Sequence, residues 1–150
     1  MIRSAVAIWK GSPVIGEGLV STTSGVISNA LYAAAGSSTG GDPCTSPSEM
    51  LAAAVASCMS LMVALESAKV GLKPDHVRTE SVLTLEEKKG RWEITGIQLR
   101  VSAGIQDADE EKFHKAIRSA RARCPISRAL KVPIKMTTKL EAVAHELSAV

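Results

Sequence analysis

Aromatic residues are nearly missing from this chain of 150: Trp9, Tyr32, Trp92 and Phe113 are the only four. Alanine and valine must therefore do much of the core filling, which favours close approach of helix on helix. Basic residues interleaved with aromatics are also missing. The net charge of +3 is not gathered into one run, so nucleic acid is not an expected partner. Cysteines number three, and no C-x-x-C or H-x-x-x-H spacing occurs. His76, His114 and His145 are scattered, which argues against a zinc or iron site. Gly16, Gly18 and Gly25 do not form a phosphate-binding fingerprint. The opening "MIRSAVAIWKGSPV" lacks the apolar stretch of a secretion signal. No apolar run reaches transmembrane length: the longest, 50 to 65, is interrupted by Ser57, Cys58 and Ser60 and reads as a buried core helix. These absences point to a soluble, cytoplasmic protein with no membrane association, whose thiols stay reduced unless they do redox work.

What is there is enough for one domain over 1–150. A hydrophobic fraction of 45% and a charged fraction of 22% are those of a globular protein. "SAVAIWKG" reads as a strand, and "GEGLVSTTSGVISNAL" as a hairpin turning at Ser24-Gly25. Residues 33 to 45, rich in Gly and Ser, read as a surface loop. A helix is predicted from about Pro47 to about Lys69, stopped by Gly71. Two long strands follow around a Lys89-Gly90 turn, identified by alternation. "DADEEKFHKAIRSARARC" has an acidic start, a basic end and a buried stripe at Phe113, Ile117, Ala120 and Cys124, so it reads as an amphipathic helix ended by Pro125. "VPIKMTTKLEAV" is a last strand, and the final residues are expected to fray. Without regular βαβ alternation, the order predicts an α+β fold with antiparallel sheet. The first helix is apolar nearly all round and must be covered on every side. A homodimer whose two such helices pack together would do that.

Chemistry concentrates on two cysteines 66 positions apart. Cys58 is mid-helix, and Cys124 ends the second helix on its buried stripe. One reading is a pair of buried structural thiols acting as small hydrophobes. The other is a redox pair, in which one thiolate attacks an oxidant and the other resolves the sulfenic acid as a disulfide. The dipole at a helix C-terminus disfavours a thiolate. On that argument Cys58 is the better attacker and Cys124 the better resolver.

"STTSGVIS", "SPSEMLAAAVASC" and "ARCPISRAL", in this order and spacing, resemble the OsmC/Ohr family of organic hydroperoxide reductases over nearly the whole chain. The resemblance implies an intertwined homodimer of α+β subunits, with antiparallel sheets around two long central helices and active sites at the subunit interface. It implies reduction of organic hydroperoxides in oxidative-stress defence, with Cys58 peroxidatic and Cys124 resolving. It implies no metal, flavin or haem, and a dithiol such as a lipoylated protein as reductant.

Two features depart from the pattern of that family's peroxidases. A Glu usually follows the Pro that opens the central helix; here Ser48 holds that place and Glu49 comes next. Nine helical steps put Glu49 about 180° from Cys58, whereas ten would leave about 80°. Ser46-Pro47-Ser48-Glu49 also matches a capping box, so Glu49 has a structural reading beside the catalytic one. The usual arginine is missing from the loop before the helix and from the second strand. Arg121 and Arg128, which flank Cys124, are then the candidate cations for Cys58, with Lys10 a weaker one. Cys44 reads as an incidental exposed thiol. The other function class is a non-catalytic binding protein that uses an apolar pocket between helices for a small molecule, with the cysteines as relics.

Overall fold

The computed structural model describes residues 1–13, 15–33, 44–107, 109–141 and 143. The surface loop expected around 33 to 45 falls largely outside them, as does the tail beyond 143. The chain divides into two compact units, Met1–Leu51 and Ala52–Val150.

The first unit is a three-stranded antiparallel sheet of β1 (Ala5–Lys10), β2 (Glu17–Thr22) and β3 (Ala30–Tyr32), in that order. The β2–β3 turn forms where expected: Gly25 adopts φ 75° and its N–H donates to Thr22 O at 2.9 Å. The Trp9 and Tyr32 rings pack at 5.8 Å.

Helix α1 (Pro47–Lys69) starts in the first unit and continues into the second. Its start is set by Ser46, whose Oγ accepts the Glu49 N–H at 3.2 Å, with Pro47 at the first helical position. Its end is a Schellman motif. Gly71 takes φ 80°, its N–H bonds Ala68 O, and the Leu72 N–H bonds Ser67 O. By length and composition alone, with an 18-residue window of mean hydropathy 1.7, α1 would suffice to cross a membrane. That corrects the expectation from interrupted runs, although Val55, Met59 and Val63 on one face are covered by the core.

The second unit sets a sheet beside two further helices. β4 (Pro74–Lys88) and β5 (Arg91–Ile105) form a long antiparallel hairpin. Its turn, Lys89-Gly90, has both residues at positive φ, the geometry that matches strand twist. Alternate β5 residues, Ile97, Leu99, Val101, Ala103 and Ile105, are buried. Helix α2 (Glu110–Arg123) is capped by Asp109, which accepts the Lys112 N–H at 3.1 Å. Phe113, Ile117 and Ala120 bury its apolar stripe, as the spacing predicts. A short helix, α3 (Pro125–Ala129), follows, and then β6 (Ile134–Glu141).

The α+β class stands, but the sheet is not wholly antiparallel. β6 pairs with β5 in parallel, from Ile97↔Ile134 to Gly104↔Glu141. The reason is the crossover: α2 and α3 carry the chain back along the sheet before β6 begins, and a connection of that length allows parallel pairing where a hairpin does not.

Candidate active site

The second unit brings the two cysteines together. Cys58 lies mid-way along α1 and is partly exposed; Cys124, between α2 and α3, has no accessible surface. Their sulfurs are 3.3 Å apart, in hydrogen-bond contact. Both are free thiols, close enough for a short movement to join them.

The two thiols titrate in opposite directions. Burial pushes Cys58 up, and so do its contact with Cys124 and the charge Cys124 can carry; the Ile126 N–H offsets part of this. Burial also acts on Cys124, but there it is outweighed. The Ser127 hydroxyl 3.2 Å from its sulfur, the backbone N–H groups of Ser127 and Ile126, and the contact with Cys58 together hold Cys124 below the ordinary thiol value. Of the reduced pair Cys124 is therefore the more acidic thiol and Cys58 the less acidic one; the Cys124 thiol is set toward the Cys58 sulfur at 3.3 Å.

This corrects the dipole argument drawn from α2 alone. Cys124 is the C-cap of α2 and also the N-cap of α3, with Pro125 at the first position of the new helix. Read as a stop signal, Pro125 conceals the second role; an N-cap followed by Pro is also a start signal. Ser127, three residues after the cap, is the site residue missed for the same reason.

The other candidates are dispersed. Arg121 and Arg128 line a cavity of about 230 Å³ with Met59, Ser127, Ile134 and Met136. Its lining includes a neighbour of each cysteine: Met59 follows Cys58 in the chain, and Ser127 is the donor to Cys124. Arg121 donates from Nη2 to Ile134 O at 3.1 Å, and Arg128 makes no ion pair among the described residues. Neither is among the groups that shift Cys58. Glu49 is engaged at the start of α1, where its Oε2 accepts the Thr45 hydroxyl at 3.0 Å. The Ser46 half of the capping box is formed, and the Glu49 carboxylate turns to Thr45. Cys44 is half-buried, and His76 is bonded to Glu141 at 2.9 Å.

Comparison with known proteins bears on all of this geometry. The family model "OsmC-like protein" matches residues 39–139. Peroxiredoxin OsmC of Escherichia coli K12 is 31% identical over 141 residues, which cover 93% of this chain and 96% of that protein. An OsmC-like protein of Vibrio cholerae shares the fold with a TM-score of 0.76 at 18% identity, covering 93% of this chain and 99% of the other. The organic hydroperoxide resistance protein OhrB of Bacillus subtilis does so with a TM-score of 0.66 at 19% identity, covering 92% and 98%. Family model, sequence identity and fold thus coincide, and the chain belongs to the OsmC family.

Proposed function

We propose that the protein is a thiol-dependent peroxidase that reduces organic hydroperoxides, with Cys58 as the attacking and Cys124 as the resolving cysteine. The observation that carries this reading is the sulfur pair at 3.3 Å, with one thiol reachable and the other enclosed. The peroxide-related names of the relatives support it: a peroxiredoxin in Escherichia coli and an organic hydroperoxide resistance protein in Bacillus subtilis.

Access assigns the roles. A hydroperoxide can reach the partly exposed Cys58 and not the enclosed Cys124. The Cys58 thiolate attacks the distal peroxide oxygen, the O–O bond breaks, and the alkoxide leaves as the alcohol after taking a proton. Cys58 is then a sulfenic acid. The Cys124 thiolate attacks the Cys58 sulfur, hydroxide leaves as water, and the disulfide forms. A dithiol reductant, such as a lipoylated protein, exchanges with that disulfide and restores both thiols as it is itself oxidised. No step calls for a metal, flavin or haem.

The acidity of Cys124 suits its role. Its lowered value favours the thiolate that resolves the sulfenic acid on the facing sulfur. Arg121 and Arg128 flank Cys124 in the chain and line the cavity, and we assign them to favouring the Cys58 thiolate. Glu49, bonded to Thr45, is read as a cap rather than as a member of the site.

We further propose that the 150 residues act as a single cytoplasmic domain and as a homodimer. One stripe of α1 stays uncovered in the chain: Ala53, Ser57, Leu61 and Leu65, at a spacing of four. Leu61 is 61% and Leu65 48% exposed. Large apolar residues in line on a helix are the mark of a face that a partner covers. Ser57 adjoins Cys58, so this face borders the thiol pair.

The test is consumption of cumene hydroperoxide with dithiothreitol. The wild type is expected to turn over, Cys58→Ser to be inactive and Cys44→Ser to keep nearly full rate. Equal losses in both variants would move the reactive thiol to Cys44. No turnover in the wild type would favour the second reading, a binding protein built on the arginine-lined cavity.

A further inference from the structure

One buried charge takes no part in the chemistry above. Glu66 lies on α1, two turns beyond Cys58, on the face that otherwise carries Val55, Met59 and Val63. Its side chain is 5% exposed. Its cover is thin, supplied by Lys69 and Arg123, whose side chains are themselves more than half exposed. Both oxygens are used. Oε2 accepts the Ser119 hydroxyl at 2.6 Å; Oε1 meets Lys69 Nζ at 2.5 Å and Arg123 Nε at 3.6 Å. Lys69 is on the same helix and orients the carboxylate. Ser119 and Arg123 are on α2, and Arg123 is the residue directly before Cys124.

We propose that Glu66 is a positioning residue for the thiol pair: its carboxylate ties the last turn of α2 to α1 and so holds Cys124 within reach of Cys58. The proposal rests on the reading of Cys58 and Cys124 as a working pair. The rest of the α2 contact is the apolar stripe of Phe113, Ile117 and Ala120. Apolar contact is non-directional and tolerates sliding along the helix axis. Among the described residues, the side-chain hydrogen bonds and ion pairs that join α1 to α2 or its cap are Ser119–Glu66, Arg123–Glu66 and the sulfur contact itself. The first two fix the axial position of α2; the third is the feature that benefits. A disulfide tolerates little error, because its Cα atoms must fall within roughly 4.4–6.8 Å and its Cβ atoms within roughly 3.5–4.5 Å. A carboxylate here is also a poor way to gain stability. An ion pair with an enclosed carboxylate is often replaced by apolar residues at no cost in stability, and fixing a register is the best-attested use of such a pair.

The test is equilibrium of the reduced protein with oxidised glutathione, in which two protein thiols and one glutathione disulfide exchange for the protein disulfide and two glutathione thiols. The constant measures how well the native fold presents the two sulfurs to each other. It reports on folded molecules, so a loss of global stability alone does not move it. Glu66→Leu, in a Cys44→Ser background, is expected to lower the constant about tenfold or more and to accumulate mixed disulfide on Cys58. Ser119→Ala is expected to lower it less, and Ser119→Thr, which keeps the hydroxyl, to restore it. A folded Glu66→Leu protein with the wild-type constant overturns the proposal. Where Glu66→Leu does not fold, Ser119→Ala and Arg123→Ala decide, and wild-type constants in both overturn it. Because no peroxide enters this measurement, a wild type that fails to consume hydroperoxide would sink the peroxidase reading and leave the positioning result standing.

Discussion

Removing the resolving cysteine should make the attacking one more reactive. In the reduced pair Cys124 loses its proton first, so ionising Cys58 places a second negative charge 3.3 Å away. Cys124→Ala abolishes that repulsion. Coulomb's law bounds the gain: two unit charges at that separation repel by about 1.3 kcal/mol in water and about 5 kcal/mol at an effective dielectric of 20. Cys58 is partly exposed, so solvent screening moves the figure toward the lower bound. About 1.3 kcal/mol is roughly an eightfold rise in thiolate at pH 7. A less basic thiolate is also a weaker nucleophile, with a Brønsted slope of about 0.4–0.5, so about a threefold rise in rate survives at that bound. At the upper bound the same arithmetic allows about a hundredfold. The assay is iodoacetamide labelling of Cys58 across pH in a Cys44→Ser background, read by mass spectrometry. In the parent, labelling should rise with pH through a midpoint above the ordinary cysteine range, because Cys58 is pushed up. In Cys124→Ala the midpoint should fall, while burial, the largest cause of the upward shift, remains. Labelling at pH 7 that is unchanged or slower in Cys124→Ala would refute the acidity order.

One equivalent of hydroperoxide should yield a Cys58–Cys124 disulfide on peptide mapping; sulfinic acid on Cys58 beside a free Cys124 would remove the resolving role. Light scattering at micromolar concentration should give twice the 15.7 kDa chain mass, and Leu61→Glu with Leu65→Glu should lower it toward one chain; a folded monomeric wild type would sink the homodimer. Arg121→Ala and Arg128→Ala should each slow peroxide reduction about threefold, the ~0.6 kcal/mol of a solvent-screened charge. If neither variant changes the rate or the Cys58 labelling midpoint, the arginines do not serve Cys58. Arg121→Ala should also cost about 1 kcal/mol of stability in urea, through its lost bond to Ile134 O, whereas Arg128→Ala should cost little.

Features decided within a few residues were legible in the sequence. Ser46-Pro47 opens α1 and Gly71 closes it through bonds that span five residues or fewer. Lys89-Gly90 turns the hairpin because both positions take positive φ. The stripe of Phe113, Ile117, Ala120 and Cys124 needed only the helical period. Features decided between distant segments were not. Alternation in Ile134–Glu141 marks which side chains face inward and carries no mark of strand direction, so the parallel pairing with β5 was hidden. Glu66, three residues before Lys69, looks in sequence like half of a surface pair. That pair forms, but its other partners, Ser119 and Arg123, lie 53 and 57 positions away, and no local pattern names them.

The missed α3 matters most, because it changes the division of labour between the thiols. With Cys124 only at the end of α2, one sulfur would be both the more accessible and the more acidic. With Cys124 also at the start of α3, those properties separate. The reachable thiol is the less acidic, and the enclosed thiol the more acidic. Attack then requires the proton to pass from Cys58 to Cys124 across the 3.3 Å contact, so that the nucleophile is a minor protonation state of the pair. Any cation that favours that state, whether Arg121, Arg128 or a residue of a second subunit, would act on the attack. The Ser127 and Ile126 donors would act on resolution. The alkoxide released from the peroxide takes that proton from Cys124 and leaves as the alcohol, so Cys124 then faces the Cys58 sulfenic acid as a thiolate. On this account the fold makes the second step ready in advance and leaves the first limited by the Cys58 proton, so peroxide consumption should rise with pH while the yield of disulfide per peroxide stays constant.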